Sequence, residues 1–163
     1  MPRGLRMSTN SRGAALAAIR GALACLGEIL RAMSEENVEA VRGVYDALNN
    51  LDWDAVFRDM DPDVEVKFQR APDAGTLRRR EAVQGFLEDY LGAFEKMTFE
   101  PEELFENDDQ VVVLVTRRAR PKGGSGEMVV RNGHIWKVRD GTILSMKSFP
   151  DPEKALEAAG LRE

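Results

Sequence analysis

The sequence predicts an α+β domain in which helices cover one face of a curved antiparallel sheet, closed enough to form a cone. Three observations carry this. Helical periodicity dominates the stretch from Ser34 to Phe94, alternating β-branched runs dominate Thr98 to Phe149, and 163 residues is the size of a single domain with one real core.

The elements follow in order. Ser34 caps a first helix with Glu35 and Glu36 in its first turn, where they favour the positive end of the helix dipole. Val38, Val41, Tyr45 and Leu48 recur at spacings of three and four and share a face, and Asn49 and Asn50 end the helix. Asp52 starts a shorter helix through Met60, closed by the turn Asp61-Pro62-Asp63. Val64, Val66 and Phe68 alternate with Glu65 and Lys67 as a strand buried on one face. A loop spans Arg70 to Leu77, and a third helix, Arg80 to Phe94, carries the stripe Val83, Phe86, Leu87, Tyr90, Leu91 and Phe94.

Strands follow. Thr98 to Phe105 and Val111 to Arg120 flank the turn residues Asn107, Asp108 and Asp109, and the second run is dense in valine. After a glycine-rich loop, Glu127 to Arg139 and Thr142 to Phe149 flank Asp140-Gly141, a strong two-residue hairpin signal. Asn132-Gly133 gives the same signal locally, so that strand is either one long element, a pair of short ones, or one with a bulge at Gly133. A last helix has Asp151 as cap, Pro152 at its first position and Gly160 as its stop.

Residues 1–32 differ from the domain at 33–163. Arg3, Arg6, Arg12, Arg20 and Arg31 stand against the single acid Glu28, around an alanine- and leucine-rich run from Gly13 to Leu30. Arg20 and Glu28 interrupt that run, which argues against a signal peptide and a membrane span. The extension is either an extra amphipathic helix or the product of a start codon set upstream of Met33, and the second is preferred. A cytoplasmic location is expected.

Charge narrows the partners. The net charge of −5 repels a phosphate backbone, so no nucleic acid is expected as a partner, and the basic run Arg78-Arg79-Arg80 reads as a solvated loop. Cys25 and His134 are the only residues of their kinds, so one chain assembles neither a disulfide nor a cysteine/histidine zinc site. Gly123-Gly124-Ser125-Gly126 lacks the lysine and the strand-to-helix setting of a phosphate loop. Neither cofactor nor metal is expected.

The phrases SEENVEAVRGVYDALNNLDWDAV, QGFLEDYLGAF and HIWKVRDGTILSMKSFPDPEKALEAAGL, in this order over nearly all of Met33 to Leu161, resemble SnoaL-like proteins of actinobacterial type, a branch of the NTF2-like superfamily. The resemblance implies a cone-shaped α+β barrel shared with ketosteroid isomerases and polyketide cyclases, frequently a homodimer through the sheet. It does not by itself imply their reactions. It also implies a glycine where Arg79 stands, so the turn there is expected to differ.

Isomerase chemistry needs a carboxylate base and hydrogen-bond donors for a developing oxyanion. By the resemblance, Tyr45 holds the place of the oxyanion-hole tyrosine and His134 falls near that of its protonated aspartate partner. Each also reads as an ordinary core residue, Tyr45 completing its helix stripe. The base would fall at about Val66, where no carboxylate stands, and only a one-residue bulge would bring Glu65 inward. Strand alternation groups His134 with Trp136 and Val138, and Leu144 with Met146 and Ser148. Adjacent Arg117 and Arg118 point to opposite faces of a regular strand; one turned inward would bind an acid or orient a carboxylate, but the preferred reading of this segment is a solvated edge.

Phe68, Phe86, Tyr90, Trp136, Met146 and Ser148 thus outline an apolar site for a small hydrophobic molecule, with Tyr45 and His134 as polar anchors. Alternatives are an enzyme of cyclase or isomerase type on a polycyclic or carbonyl substrate with His134 as acid/base, and a dimeric interaction module using the outer sheet face.

Overall fold

The computed structural model describes residues 9–69 and 75–162. Helix α1 (Thr9–Asn49) is continuous across Ser34, which therefore sits in its interior rather than at a cap. The alanine-rich stretch before it contains no proline, and good helix formers carry the helix through. The chain nevertheless divides into two units between Ser34 and Glu35. In the first, Leu16, Ile19, Leu23, Leu26, Ile29 and Leu30 are exposed. By length and composition alone, this helix is long and apolar enough to cross a membrane.

In the second unit, α1 ends where the two asparagines stand. Leu51 takes a left-handed φ of 53°, and the Asp52 N–H closes back on the Ala47 carbonyl at 2.9 Å. The Asp52 carboxylate then accepts from the Ala55 N–H and caps α2 (Trp53–Phe57). That helix is short because β1 (Met60–Phe68) starts early. Asp61-Pro62-Asp63, expected as a turn, lies in this strand, where its pairing shifts register between Met60 and Glu65. Proline lacks the N–H a regular ladder would need there.

After β1, a three-residue strand β2 (Thr76–Arg78) occupies the end of what read as a loop; residues 70–74 of that loop lie outside the described residues. Helix α3 (Arg80–Gly92) then leads to β3 (Phe94–Asn107), β4 (Gln110–Pro121), β5 (Met128–Arg139), β6 (Thr142–Phe149) and α4 (Pro152–Ala158). Phe94 thus starts a strand rather than ending a helix. Asp140 and Gly141 both have positive φ, 51° and 75°, as a tight hairpin requires.

The six strands form one curved sheet in the order β2-β1-β6-β5-β4-β3, antiparallel except where β1 runs parallel to β6. Its inner face packs Val64, Val66, Val111, Val113, Val115, Trp136, Val138 and Ile143 against Val41, Val44, Tyr45 and Leu48 of α1, with Val56 and Val83 from α2 and α3. Its outer face packs Val112, Leu114 and Ile135 against Ala155, Leu156 and Ala159 of α4. The valine run of β4 is apolar throughout because both of its faces are covered.

Strand β5 runs unbroken through Asn132-Gly133, which is not a turn. A Cβ on Gly133 would lie 2.3 Å from the Ala155 Cβ, so the glycine is there to admit α4. The irregularity sits instead between β5 and β6: Lys137 pairs with Ser145 and Val138 with Ile143, leaving Leu144 as an extra residue. Ile143 therefore enters the inner core together with Met146, a pair that simple alternation would put on opposite faces.

The three consecutive arginines behave differently from one another. Arg78 lies 3.6 Å from Glu65 at the surface, whereas Arg80 turns back to donate to the Met60 carbonyl, so the triplet is not one solvated run. Arg79 stands at φ 76°, ψ 150°, a region that glycine occupies readily and other residues rarely do.

Candidate functional site

Tyr45 of α1 and His134 and Trp136 of β5 meet beneath the inner face. Helical spacing turns Tyr45 toward the sheet, and strand alternation turns His134 and Trp136 toward the helix. The Tyr45 hydroxyl accepts a hydrogen bond from Trp136 Nε1 at 2.8 Å and lies 2.7 Å from His134 Nδ1. With the phenol oxygen already accepting from the indole, the arrangement that satisfies all three groups has the phenol donating to Nδ1. The imidazole proton then sits on Nε2, which has no hydrogen-bond partner among the described residues.

Burial pushes the His134 imidazole down to about 4, with the Arg117 cation contributing in the same direction, so the ring is neutral near pH 7. Burial also drives the Tyr45 phenol far above its ordinary range, partly offset by the Trp136 hydrogen bond. Tyr45 is 1% exposed and His134 8%. The tyrosine is therefore enclosed by protein and holds His134, while the histidine keeps one edge open. The Tyr45 and His134 rings lie within 3° of coplanar orientation, and Trp136 stands edge-on to both.

Sheet register aligns the other inner residues. Ser148 of β6 pairs with His134 on one side and Phe68 of β1 on the other; one step along, Met146 links Trp136 to Val66. From α3, Phe86 places its ring 4.9 Å from Phe68 and 6.0 Å from Tyr90, and Tyr90 lies 5.5 Å from Phe94. Phe68, Phe86 and Tyr90 form one aromatic row, with Phe86 39% exposed.

Of the two adjacent arginines, Arg117 faces inward. It shares its side of β4 with Val111, Val113 and Val115, donates to the Tyr90 hydroxyl and lies 5.9 Å from the Tyr90 ring centre. The sequence could not choose between Arg117 and Arg118 because β4 is apolar on both faces, so the valine run carries no parity.

No carboxylate replaces the missing base at Val66, which is buried at 4% exposure. Glu65 points outward to Arg78, so the bulge that would have turned it inward is absent. Every Asp and Glu among the residues whose burial is described is exposed except Asp61 and Asp109. Asp61 accepts from the Asp63 N–H, and Asp109 lies near Lys137 and Arg139. Among the described residues no three His, Cys, Asp or Glu side chains come together as metal ligands.

On the outer face a depression of about 500 Å³ is lined by Lys137, Lys147, Ile135 and Phe149, with Gln69 and Gln110 at its edges. None of the inner-face residues lines it. Its lysines and glutamines give it a polar character unlike the aromatic row inside.

Solved structures share this fold. TerC, crystallised with polyporic acid, is 26% identical with a TM-score of 0.64, covering 77% of this chain and 98% of its own. An NTF2-like protein of unknown function from Burkholderia pseudomallei K96243 is 24% identical, with a TM-score of 0.64 over 75% of this chain and 95% of its own. A protein assigned as a SnoaL-like polyketide cyclase from Jannaschia sp. CCS1 is 20% identical, with a TM-score of 0.62 over 79% and 94%. Among curated proteins no sequence matches the chain. The family model of the SnoaL-like domain matches residues 41–146, from α1 to β6 and through every inner-face strand described above, and the chain belongs to that family.

Proposed function

We propose that the protein binds a small hydrophobic molecule against the inner face of its sheet, with His134 as the polar anchor. The observation that carries this reading is the Tyr45–His134 hydrogen bond at 2.7 Å. It orients a neutral imidazole that keeps its proton on Nε2, on the face of the sheet where Ser148 stands between His134 and Phe68. Such a site, apolar with one directed polar group, suits a ligand with an aromatic or polycyclic body and an oxygen acceptor. Trp136, Met146 and Ser148 extend the lining along the paired strands.

A second reading, an enzyme of cyclase or isomerase type on a polycyclic or carbonyl substrate, draws on the same N–H. A neutral imidazole is a competent electrophile toward a carbonyl. Its proton placement opposes the role of base, however, because Nε2 already carries hydrogen. Both readings place Tyr45 as a positioning residue.

Titration with 2-acetylnaphthalene, followed by quenching of tryptophan fluorescence, tests the binding reading. Saturable binding that weakens about tenfold in His134→Ala supports it; absence of binding to the folded protein defeats it. Incubation of the same ketone in heavy water separates the second reading: α-proton exchange abolished by His134→Ala would establish catalysis, and no exchange above buffer would exclude it for this substrate class.

The protein is further read as a cytoplasmic homodimer joined through the sheet. Light scattering after size exclusion checks the dimer: a monomeric mass at micromolar concentration rejects it. Membrane pelleting checks the location, since exposed Leu23 and Leu26 on α1 would retain the full chain on vesicles if that helix inserts.

A further inference from the structure

Adjacent Arg117 and Arg118 differ in one respect that bears on what the inner face holds. Arg118, on the outer side of β4, lies 3.2 Å from Glu100 and 4.0 Å from Glu127. Arg117, on the inner side, has no carboxylate within ion-pair distance among the described residues, and its contacts are the hydroxyl and ring of Tyr90. Arginine keeps its charge at any physiological pH, and a cation set against apolar side chains without a counter-ion is unfavourable. The polar hydrogens offered on this face, from Arg117 and from His134 Nε2, both require an acceptor.

We propose that the ligand of the inner face is a hydrophobic acid: a polycyclic or extended aromatic anion whose carboxylate or acidic enolate meets Arg117 and whose body lies along Phe86 and Tyr90 toward His134. The proposal rests on the reading of the inner face as a ligand site and specifies its chemical class. Val113 pairs with His134, and Arg117 lies four residues further along β4, so the two anchors are roughly 13 Å apart at the backbone. The proposed ligand carries its acid at one end of two or three fused rings and a second oxygen at the other. Burial is the main cause that lowers the His134 imidazole, and the Arg117 cation adds to it in the same direction. TerC, 26% identical, was crystallised with a ligand of acidic name, polyporic acid.

The test is calorimetric titration of the full chain with anthracene-2-carboxylate and with the matched neutral anthracene-2-carboxamide. The carboxylate is expected to bind at least tenfold more tightly. Arg117→Met should bring the two within twofold, and Arg117→Lys should keep part of the preference. If Arg117→Met does not fold, the wild-type protein still decides the matter: raising salt from 20 to 500 mM should weaken the carboxylate and leave the carboxamide unchanged.

Equal affinity for both probes overturns the acid while leaving the inner face as a ligand site. A tenfold preference that survives Arg117→Met also overturns it. Failure of both probes to bind the folded protein overturns the ligand site and the acid together.

Discussion

The Tyr45 hydroxyl sits 2.7 Å from Nδ1 of His134, and this one contact sets which nitrogen of the histidine carries the proton. Nitrogen NMR of the ring should show the Nε2–H tautomer at pH 7. In Tyr45→Phe the tautomers should mix. Because Nδ1 and the Trp136 N–H both lose their partner, unfolding should cost about 2–6 kcal/mol less, from roughly 1–3 kcal/mol per buried unsatisfied group.

His134 also makes stability depend on acid. Its folded value is about 4, below the ordinary unfolded value of about 6.5. Between these values the unfolded chain takes up a proton that the native protein refuses, so stability falls as pH is lowered through this window and is unaffected by this group above it. The full loss is of order 3 kcal/mol. Denaturant midpoints of the wild type should decline from pH 7 to pH 4 more steeply than those of His134→Gln; parallel curves would remove His134 as the cause.

Arg79 should be improved by the residue its backbone prefers. At φ 76°, ψ 150° a non-glycine residue carries strain of about 1–3 kcal/mol. Glycine loses roughly 0.5–1 kcal/mol of that gain to its greater unfolded freedom. Arg79→Gly should therefore raise the free energy of unfolding by about 1 kcal/mol, whereas Arg79→Ala, which keeps a Cβ, should not.

Gly133 should tolerate no side chain while α4 is in place. A methyl group there would meet Ala155 at 2.3 Å, and relieving such overpacking costs about 1–3 kcal/mol. Gly133→Ala should lower stability by that amount, and adding Ala155→Gly should restore part of it. Strict additivity of the two changes would show that they do not touch.

The layout was legible because local signals agreed with the tertiary result. Asn49 and Asn50 end α1, Asp151 and Pro152 open α4, and Asp140-Gly141 turns the last hairpin. Errors arose where a local signal was outweighed by something distant. Asn132-Gly133 has turn chemistry, but its glycine serves the close approach of α4. The Leu144 bulge shifts the face of Ile143 without any mark in composition. Asp61-Pro62-Asp63 resembles a turn yet forms the irregular start of a strand. At the site, the shared face of His134 and Trp136 followed from strand alternation and the helix stripe of Tyr45 from its spacing, while the pairing of Tyr45 with His134 was implied by the family resemblance. The hydrogen bonds that bind the three together did not follow, since they depend on where a helix lies over a sheet, and the inward choice of Arg117 was hidden by a strand buried on both sides.

Asn49 does something further at the edge of the sheet. Its carboxamide donates to the Phe99 carbonyl at 2.8 Å and accepts from the Phe99 N–H at 2.8 Å, taking up both backbone groups of one residue on the terminal strand β3. A foreign strand seeking to add itself along this border finds that residue's donor and acceptor occupied by a side chain from the same molecule. The end of α1 thus acts as a stopper against runaway association, and its loss would be felt as clumping of the protein rather than as a change in what it holds.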